Sequence, residues 1–133
     1  MGRVEIKIDG LKPRDVINVR YSYRRQIDSD GQPTGTVTID GIYARVKTLE
    51  GDGTTDFPEW MCSIFKPKDG KVIFYQSKEK QALKELEFKN AYLVYYQEVY
   101  DDVNGLHEEI EISPKWVKIG DAELEELWGD SLK

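Results

Sequence analysis

Val4, Ile6 and Ile8 alternate with Arg3, Glu5 and Lys7, and the run stops at Asp9-Gly10. Period-two alternation predicts a strand with one buried and one wet face. A second strand is predicted over about residues 15–27, with Ile17, Val19, Tyr21 and Tyr23 on one face and Asn18, Arg20, Ser22 and Arg24 on the other. A third, over about residues 36–49, changes phase: Val37 and Ile39 have one parity, Ile42, Ala44 and Val46 the opposite. A β-bulge at Asp40-Gly41 would bring both halves onto one core. Residues 71–77 are apolar on both faces, with Val72 and Phe74 on one and Ile73 and Tyr75 on the other. The longest run, residues 83–100, is two-faced as well. Phe88, Tyr92, Val94, Tyr96 and Tyr100 share one parity; Ala91, Leu93, Tyr95 and Val99 share the other. A strand with one solvated face is not apolar on both sides, so the second face is expected under a helix or against another subunit. Residues 102–105 form a hairpin turn. Ile110, Ile112, Val117 and Ile119 belong to the final strands, with Glu109 and Glu111 facing water.

One segment has helical rather than strand periodicity. Phe57, Trp60, Met61, Ile64 and Phe65 form an apolar stripe that predicts a helix over about residues 56–66, stopped after Lys66 by Pro67. Asp56 has the place of the cap, and Glu59 three positions on completes a capping-box spacing. Pro58 falls in the first turn, where no donor is lost. Gly51-Asp52-Gly53 breaks the chain before this helix, and residues 78–82 read equally as a helical turn or a hairpin connection. Many short strands with regular turns and one helix make a mainly β protein: a two-sheet antiparallel β-barrel or sandwich with a flanking helix.

A chain of 133 residues is one domain, 1–133, on length alone. The charge sum, 19 cations against 25 anions, is −6. That argues against a nucleic-acid or anionic-membrane binder, whose affinity comes from neutralising phosphates. A single cysteine excludes an internal disulfide, and Cys62 in the apolar helix reads as a buried thiol. Met1-Gly2-Arg3 leads straight into the first strand, without a secretory h-region or a spanning segment. Export, if it occurs, is expected to need no cleavable signal.

Candidate chemistry is sparse. His107 is the only histidine, which excludes a multi-histidine zinc site, and it reads as a solvated residue beside a turn. Asp28, Asp30 and Gly31 hint at a calcium loop, but glycine stands fourth and Ile39 holds the twelfth place that needs glutamate. Residues 20–25 mix arginine and tyrosine, yet parity separates Arg20 and Arg24 from the tyrosines, which a base-stacking platform does not do. Glu108, Glu109 and Glu111, and later Glu123, Glu125 and Glu126, read as solvated faces rather than paired catalytic carboxylates. Ser63, Ser113 and Ser131 lack a nucleophile elbow, and no glycine-rich phosphate cradle follows a strand. No catalytic residue, metal ligand or cofactor is expected, and an enzyme ranks low. What remains is apolar surface suited to assembly.

Several segments together resemble a family. They are Asp15-Val16-Ile17-Asn18-Val19-Arg20-Tyr21-Ser22-Tyr23, the loop from Asp28 to Gly35, Glu59-Trp60-Met61-Cys62, Lys68-Asp69-Gly70, the run Leu83-Lys84-Glu85-Leu86 through Phe88 to Asn90-Ala91-Tyr92, then Ile112-Ser113, Ile119-Gly120 and Trp128. Over nearly the whole chain they resemble the Hcp-type tube proteins of type VI secretion, in the divergent TssD branch. The resemblance implies an Hcp-like barrel and a homohexameric ring. It implies rings stacked into a hollow tube inside a contractile sheath, with a spike and baseplate at its end and small effectors in its lumen. It also implies assembly in a bacterial cytoplasm followed by export, and no partnership with nucleic acid or membrane. The acidic, leucine-bearing tail, residues 121–133, departs from the family pattern, with Leu124, Leu127 and Trp128 placed for a helical turn.

The two-faced strands are the natural suppliers of a ring interface, with Ile73, Tyr75, Leu93, Tyr95 and Val99 as candidates. A head-to-tail interface that closes gives a ring. The polar loop, through Asp28, Asp30, Gln32 and Thr34, is the candidate ring-to-ring contact, or else a free surface loop. The aromatic richness leaves an alternative: a small-molecule or glycan-binding β-barrel with a pocket of convergent polar and aromatic groups.

Overall fold

The computed structural model describes residues 2–48, 54–76 and 81–126. Eight strands and one helix follow in the order β1 (Arg3–Ile8), β2 (Arg14–Arg24), β3 (Thr38–Lys47), α1 (Asp56–Cys62), β4 (Lys68–Tyr75), β5 (Ala82–Asp101), β6 (Gly105–Ser113), β7 (Trp116–Ile119) and β8 (Ala122–Glu125). All pairings between these strands are antiparallel. The circuit β5–β4–β1–β2–β3–β6–β5 closes on itself, which makes a barrel, and β7 and β8 extend it from β5.

The 20-residue β5 is shared between two sheets. Its first half pairs with β4 on one edge and β7 on the other. Its second half pairs with β6. Tyr92 faces Ser113 and Lys89 faces Trp116 in one unbroken register, so β6 and β7 continue each other along the same edge.

The two-faced pattern of β5 has a local cause. Two bulges, one at residues 89–90 where Asn90 takes φ 51° and one at Val94, switch parity twice. Leu86, Phe88, Ala91 and Leu93 thereby all reach the core, and Tyr96 packs against it. The core face is thus one face, reached by alternating registers, and not two faces awaiting separate cover. In β2 the extra residue is Ile17, which is exposed, while Val19 and Tyr21 lean on the core. In β3 the extra residue falls at Asp40-Gly41, with Gly41 at φ 78°, and Ile42, Ala44 and Val46 are fully buried. β2 ends at Arg24 rather than Ile27, and the polar turn beyond it closes with an isolated bridge between Ile27 and Pro33.

The helix is shorter than its apolar stripe. It stops at Cys62 because Ser63 turns to extended backbone, and Phe65 then takes φ 46°. Thr55, not Asp56, is its N-cap; the Glu59 N–H donates to the Thr55 carbonyl, and the Glu59 carboxylate accepts the Thr55 hydroxyl. Asp56 is the first helical residue and accepts the Lys12 N–H at 3.3 Å. Phe57 and Trp60 enter the core, with the Trp60 indole N–H donating to the Lys66 carbonyl at 2.7 Å. Met61, Ile64 and Phe65 are exposed, and so is the Cys62 thiol. Ala122–Glu125 is a strand, not a helical turn. Ser77, the glycine pair at 51 and 53, residues 78–80, and Leu127, Trp128 and Ser131 of the tail lie outside the described residues.

Candidate assembly surface

The sheet formed by β2, β3, β6 and the second half of β5 is the part of the barrel that chemistry singles out. β1 reaches only Arg14 and Asp15 on the outer edge of β2, and β4 reaches only to Ala91 on the outer edge of β5. Among the described residues no strand pairs the outer edge of β2 beyond Asp15 or of β5 beyond Ala91. From Val16 on in β2 and from Leu93 on in β5, these outer edges have no strand beside them among the described residues.

The outer face of this sheet is polar and carries a network of paired charges and hydroxyls. The Arg20 guanidinium lies 4.0 Å from the centre of the Tyr43 ring. The Tyr43 hydroxyl donates to Glu109, and Arg45 lies 3.8 Å from the same carboxylate. Arg24 pairs with Asp40 at 3.1 Å, and Tyr95 donates to Gln97 at 3.0 Å. Burial and the Glu109 hydrogen bond push the Tyr43 hydroxyl above its usual range. Glu109 is therefore half-buried in a network rather than simply water-facing.

Beneath the sheet, the reading of a solvated glutamate run fails at one position. Glu108 is fully buried, where one carboxylate oxygen pairs with the equally buried Arg14 and the other accepts the Tyr96 hydroxyl. The Arg14 Nε donates to the Lys47 carbonyl at 2.9 Å, and its guanidinium lies over the Phe57 ring. His107 is buried too, not solvated, held in β6 between Lys47 and Val99. Parity places Glu108 with Ile110 and Ile112, a signal that alternation alone could have exposed.

The five ring-interface candidates separate. Ile73 and Leu93 are 3% and 8% exposed; Leu93 belongs to the core, whereas Ile73 is covered on the opposite face of β4, between Glu5 and Glu85. Tyr75 is half-buried, its hydroxyl donating to Glu5 at 3.3 Å and its ring beneath Arg3. Tyr95 and Val99 sit on the open half of β5 and point away from the core. The loop candidates Asp28, Asp30, Gln32 and Thr34 are all exposed. Asp28 holds the turn from within by accepting the N–H groups of Asp30 and Gln32, and the Thr34 N–H donates to the Gln26 carbonyl.

Sequence reasoning missed a groove of about 620 Å³ beside the end of α1, lined by Trp60, Met61, Ile64, Phe65, Leu93 and Val94 among others. Phe65 reaches across it edge-on to Tyr92, with ring centres 6.4 Å apart. Among the described residues, no three histidine, cysteine or acidic side chains cluster as metal ligands would, and no helix is long and apolar enough to cross a membrane.

These features define a small antiparallel β-barrel with a helix at its flank and one four-stranded sheet open at both edges. A family model for hemolysin coregulated protein Hcp (TssD) matches residues 3–129, and the chain belongs to that family. Its structure is similar to that of Hcp1 from Flavobacterium johnsoniae, at 33% identity and a TM-score of 0.83, over 92% of this chain and 98% of that one. It also shares its fold with Hcp1 from Salmonella typhimurium, at 12% identity and a TM-score of 0.73, over 89% and 85% of the two chains. A chain of the anti-feeding prophage (AFP) baseplate has the fold as well, at 9% identity and a TM-score of 0.58, over 90% and 91%. No curated protein matches the sequence.

Proposed function

We propose that this chain is a structural subunit of a type VI secretion inner tube, a single-domain protein without catalysis. Six copies close into a ring, and rings stack into a hollow tube that is propelled out of the cell with a spike and small effectors. The observation that carries this reading is the four-stranded sheet with two edges that no strand pairs among the described residues. Because the four strands alternate in direction, β2 and β5 run opposite ways. Rotation about an axis along the strands keeps each strand's direction, so β5 of one copy meets β2 of the next antiparallel, and the sheet continues. Heterologous contacts of this kind close into rings.

Six such sheets would make a wall roughly 115 Å around and about 37 Å across at about 4.8 Å per strand. Each barrel has its second sheet behind the first, and six barrel bodies do not fit inside that wall. They stand outside it, so the outer face of the sheet, with Arg20, Tyr43, Arg45, Glu109 and Tyr95, lines the channel. Tyr95 and Val99 remain the interface candidates on β5, and the self-bonded turn of Asp28, Asp30, Gln32 and Thr34 is the ring-to-ring contact. Sheath and baseplate proteins are the outer partners.

Light scattering of the purified protein, with negative-stain images of the same peak, tests the reading. A mass near six subunits and a central hole are expected. A monomer at high concentration would overturn it.

A further inference from the structure

We infer that the apolar groove beside α1 is the seat for Tyr23 of a second copy of this chain; this rests on the ring reading above and gives that ring its side-chain contact. Ile64 and Phe65 are 83% and 72% exposed, and Met61 and Val94 are exposed beside them. A patch of this kind on one lip of a groove marks an interaction site. It opens along the edge of β5, with Trp60 and Leu93 of the core at its floor and Tyr92 and Ser113, of the opposite parity, at its side.

The sheet's own register points to the occupant. One row across it runs Tyr21–Ile42–Ile112–Leu93, so the edge residue level with Leu93 is Tyr21. Tyr23 follows two residues on, paired with Ile39 on the same core side. It is an exposed aromatic at the opposite open edge. When β5 of one copy meets β2 of the next, Tyr21 comes level with Leu93 and Tyr23 with Ala91, at the end of the groove where Phe65 and Lys66 lead into β4.

Charge selects this pairing over the others. Residues 16–25, the open edge of β2, carry Arg20, Arg24 and Arg25 and no acid. Residues 92–101, the open edge of β5, carry Glu98 and Asp101 and no cation. By net charge a β2 edge attracts a β5 edge, whereas two β2 edges or two β5 edges repel; Arg20 comes level with Tyr95 and Glu98 with Val16, so these charges steer the approach rather than pair in the contact. The occupant is therefore another copy, presented head to tail.

The experiment uses two variants of the full chain, Tyr23→Glu and Ile64→Glu, each with an unchanged circular dichroism spectrum; Met61→Glu replaces the second should it fail to fold. Each alone is expected to lose rings and run as a monomer. Mixed, they share one intact contact, the native Tyr23 of one variant with the native groove of the other. Light scattering should then show a one-to-one dimer and nothing larger. If either variant still forms rings, the groove is not the seat and the ring reading survives. If the mixture stays monomeric, the two surfaces do not meet. If the unmodified protein forms no ring, the ring reading fails and the seat falls with it.

Discussion

The Tyr96 hydroxyl donates to Glu108 Oε2 at 2.9 Å, while Arg14 holds the other oxygen of the same carboxylate. Glu108 and Arg14 are both fully buried, so each neutralises a charge that water cannot reach. Removing one partner of such a pair leaves the other uncompensated, which costs about 3–5 kcal/mol. Glu108→Ala should therefore lower unfolding stability by about that amount in urea titration, and Tyr96→Phe by about 1 kcal/mol. The double variant Arg14→Met/Glu108→Leu should recover most of the loss, because apolar groups of similar volume need no partner. A Glu108→Ala protein as stable as the native one would mean that the pair is not buried in solution.

The same contact makes the fold sensitive to alkali, together with the other tyrosines whose hydroxyls burial raises, Tyr21, Tyr23, Tyr43 and Tyr75. Burial, followed by the hydrogen bond and charge of Glu108, raises the Tyr96 hydroxyl well above its ordinary 10.0. A group whose folded value is raised keeps its stabilising effect below the unfolded value. The effect is lost as pH rises past that value toward the folded one. Stability should thus fall once pH passes about 10, and less steeply in Tyr96→Phe, a difference that urea midpoints at pH 9 and 11 would measure.

Much of this fold was legible in the chain. The alternation of Ile6 and Ile8, the bulge at Asp40-Gly41 and the turn before Gly105 each follow from a local rule. The bulges of β5 were not read: Val94 has no residue signature for an inserted position, and Asn90, although asparagine tolerates positive φ, is a weak signal inside a continuous strand; the partners across the ladder reveal both. Those two insertions are why the strand reads as two-faced and why Leu93 was placed on a surface that it does not reach. The helix end escaped for a related reason. Ile64 and Phe65 have helical spacing, but Ser63 has already left the helix. The apolar residues beyond it form the lip of a groove instead of a core stripe.

Gly70 is a second place where β1, β4 and β5 leave no slack. A methyl group there would lie 2.5 Å from the Lys7 carbonyl oxygen and 2.7 Å from the Phe88 ring. The first is backbone and the second a fully buried side chain, so neither yields cheaply. Gly70→Ala should destabilise by about 1–3 kcal/mol, as overpacking does. Gly35→Ala, with nothing near it, is the control. Equal melting temperatures for the two would contradict this packing.

Asp101 begins the turn from β5 to β6 and accepts the N–H groups of Asn104 and Val103 at 2.6 and 3.0 Å. The Asn104 backbone hydrogen bond, above all, holds its carboxyl below the ordinary 3.8. A depressed folded value means stability that is present above the unfolded value and lost as pH falls through the folded one. The turn should therefore stay closed at pH 4 and loosen only below 3.8. A carboxyl carbon resonance of Asp101 titrating at or above 3.8 would refute this.

Oppositely charged edges make ring assembly depend on salt. Such charges speed encounter more than they strengthen the final contact, and they are screened over about 8 Å at physiological ionic strength and about 3 Å at 1 M. Ring formation followed by stopped-flow light scattering should slow as salt is raised, with the final ring mass changing little. Glu98→Lys places a cation on the β5 edge against the arginines of β2 and should slow assembly further at low salt. Arg20→Glu should do the same from the other side, although it also removes the cation over Tyr43. Arg20 comes level with Tyr95 and Glu98 with Val16 along the two edges, so the two positions do not pair, and the double variant, which weakens the charge of both edges, should assemble no faster than either single one. Assembly rates unchanged by either single variant would mean that the edges do not face each other and that the ring closes through another surface.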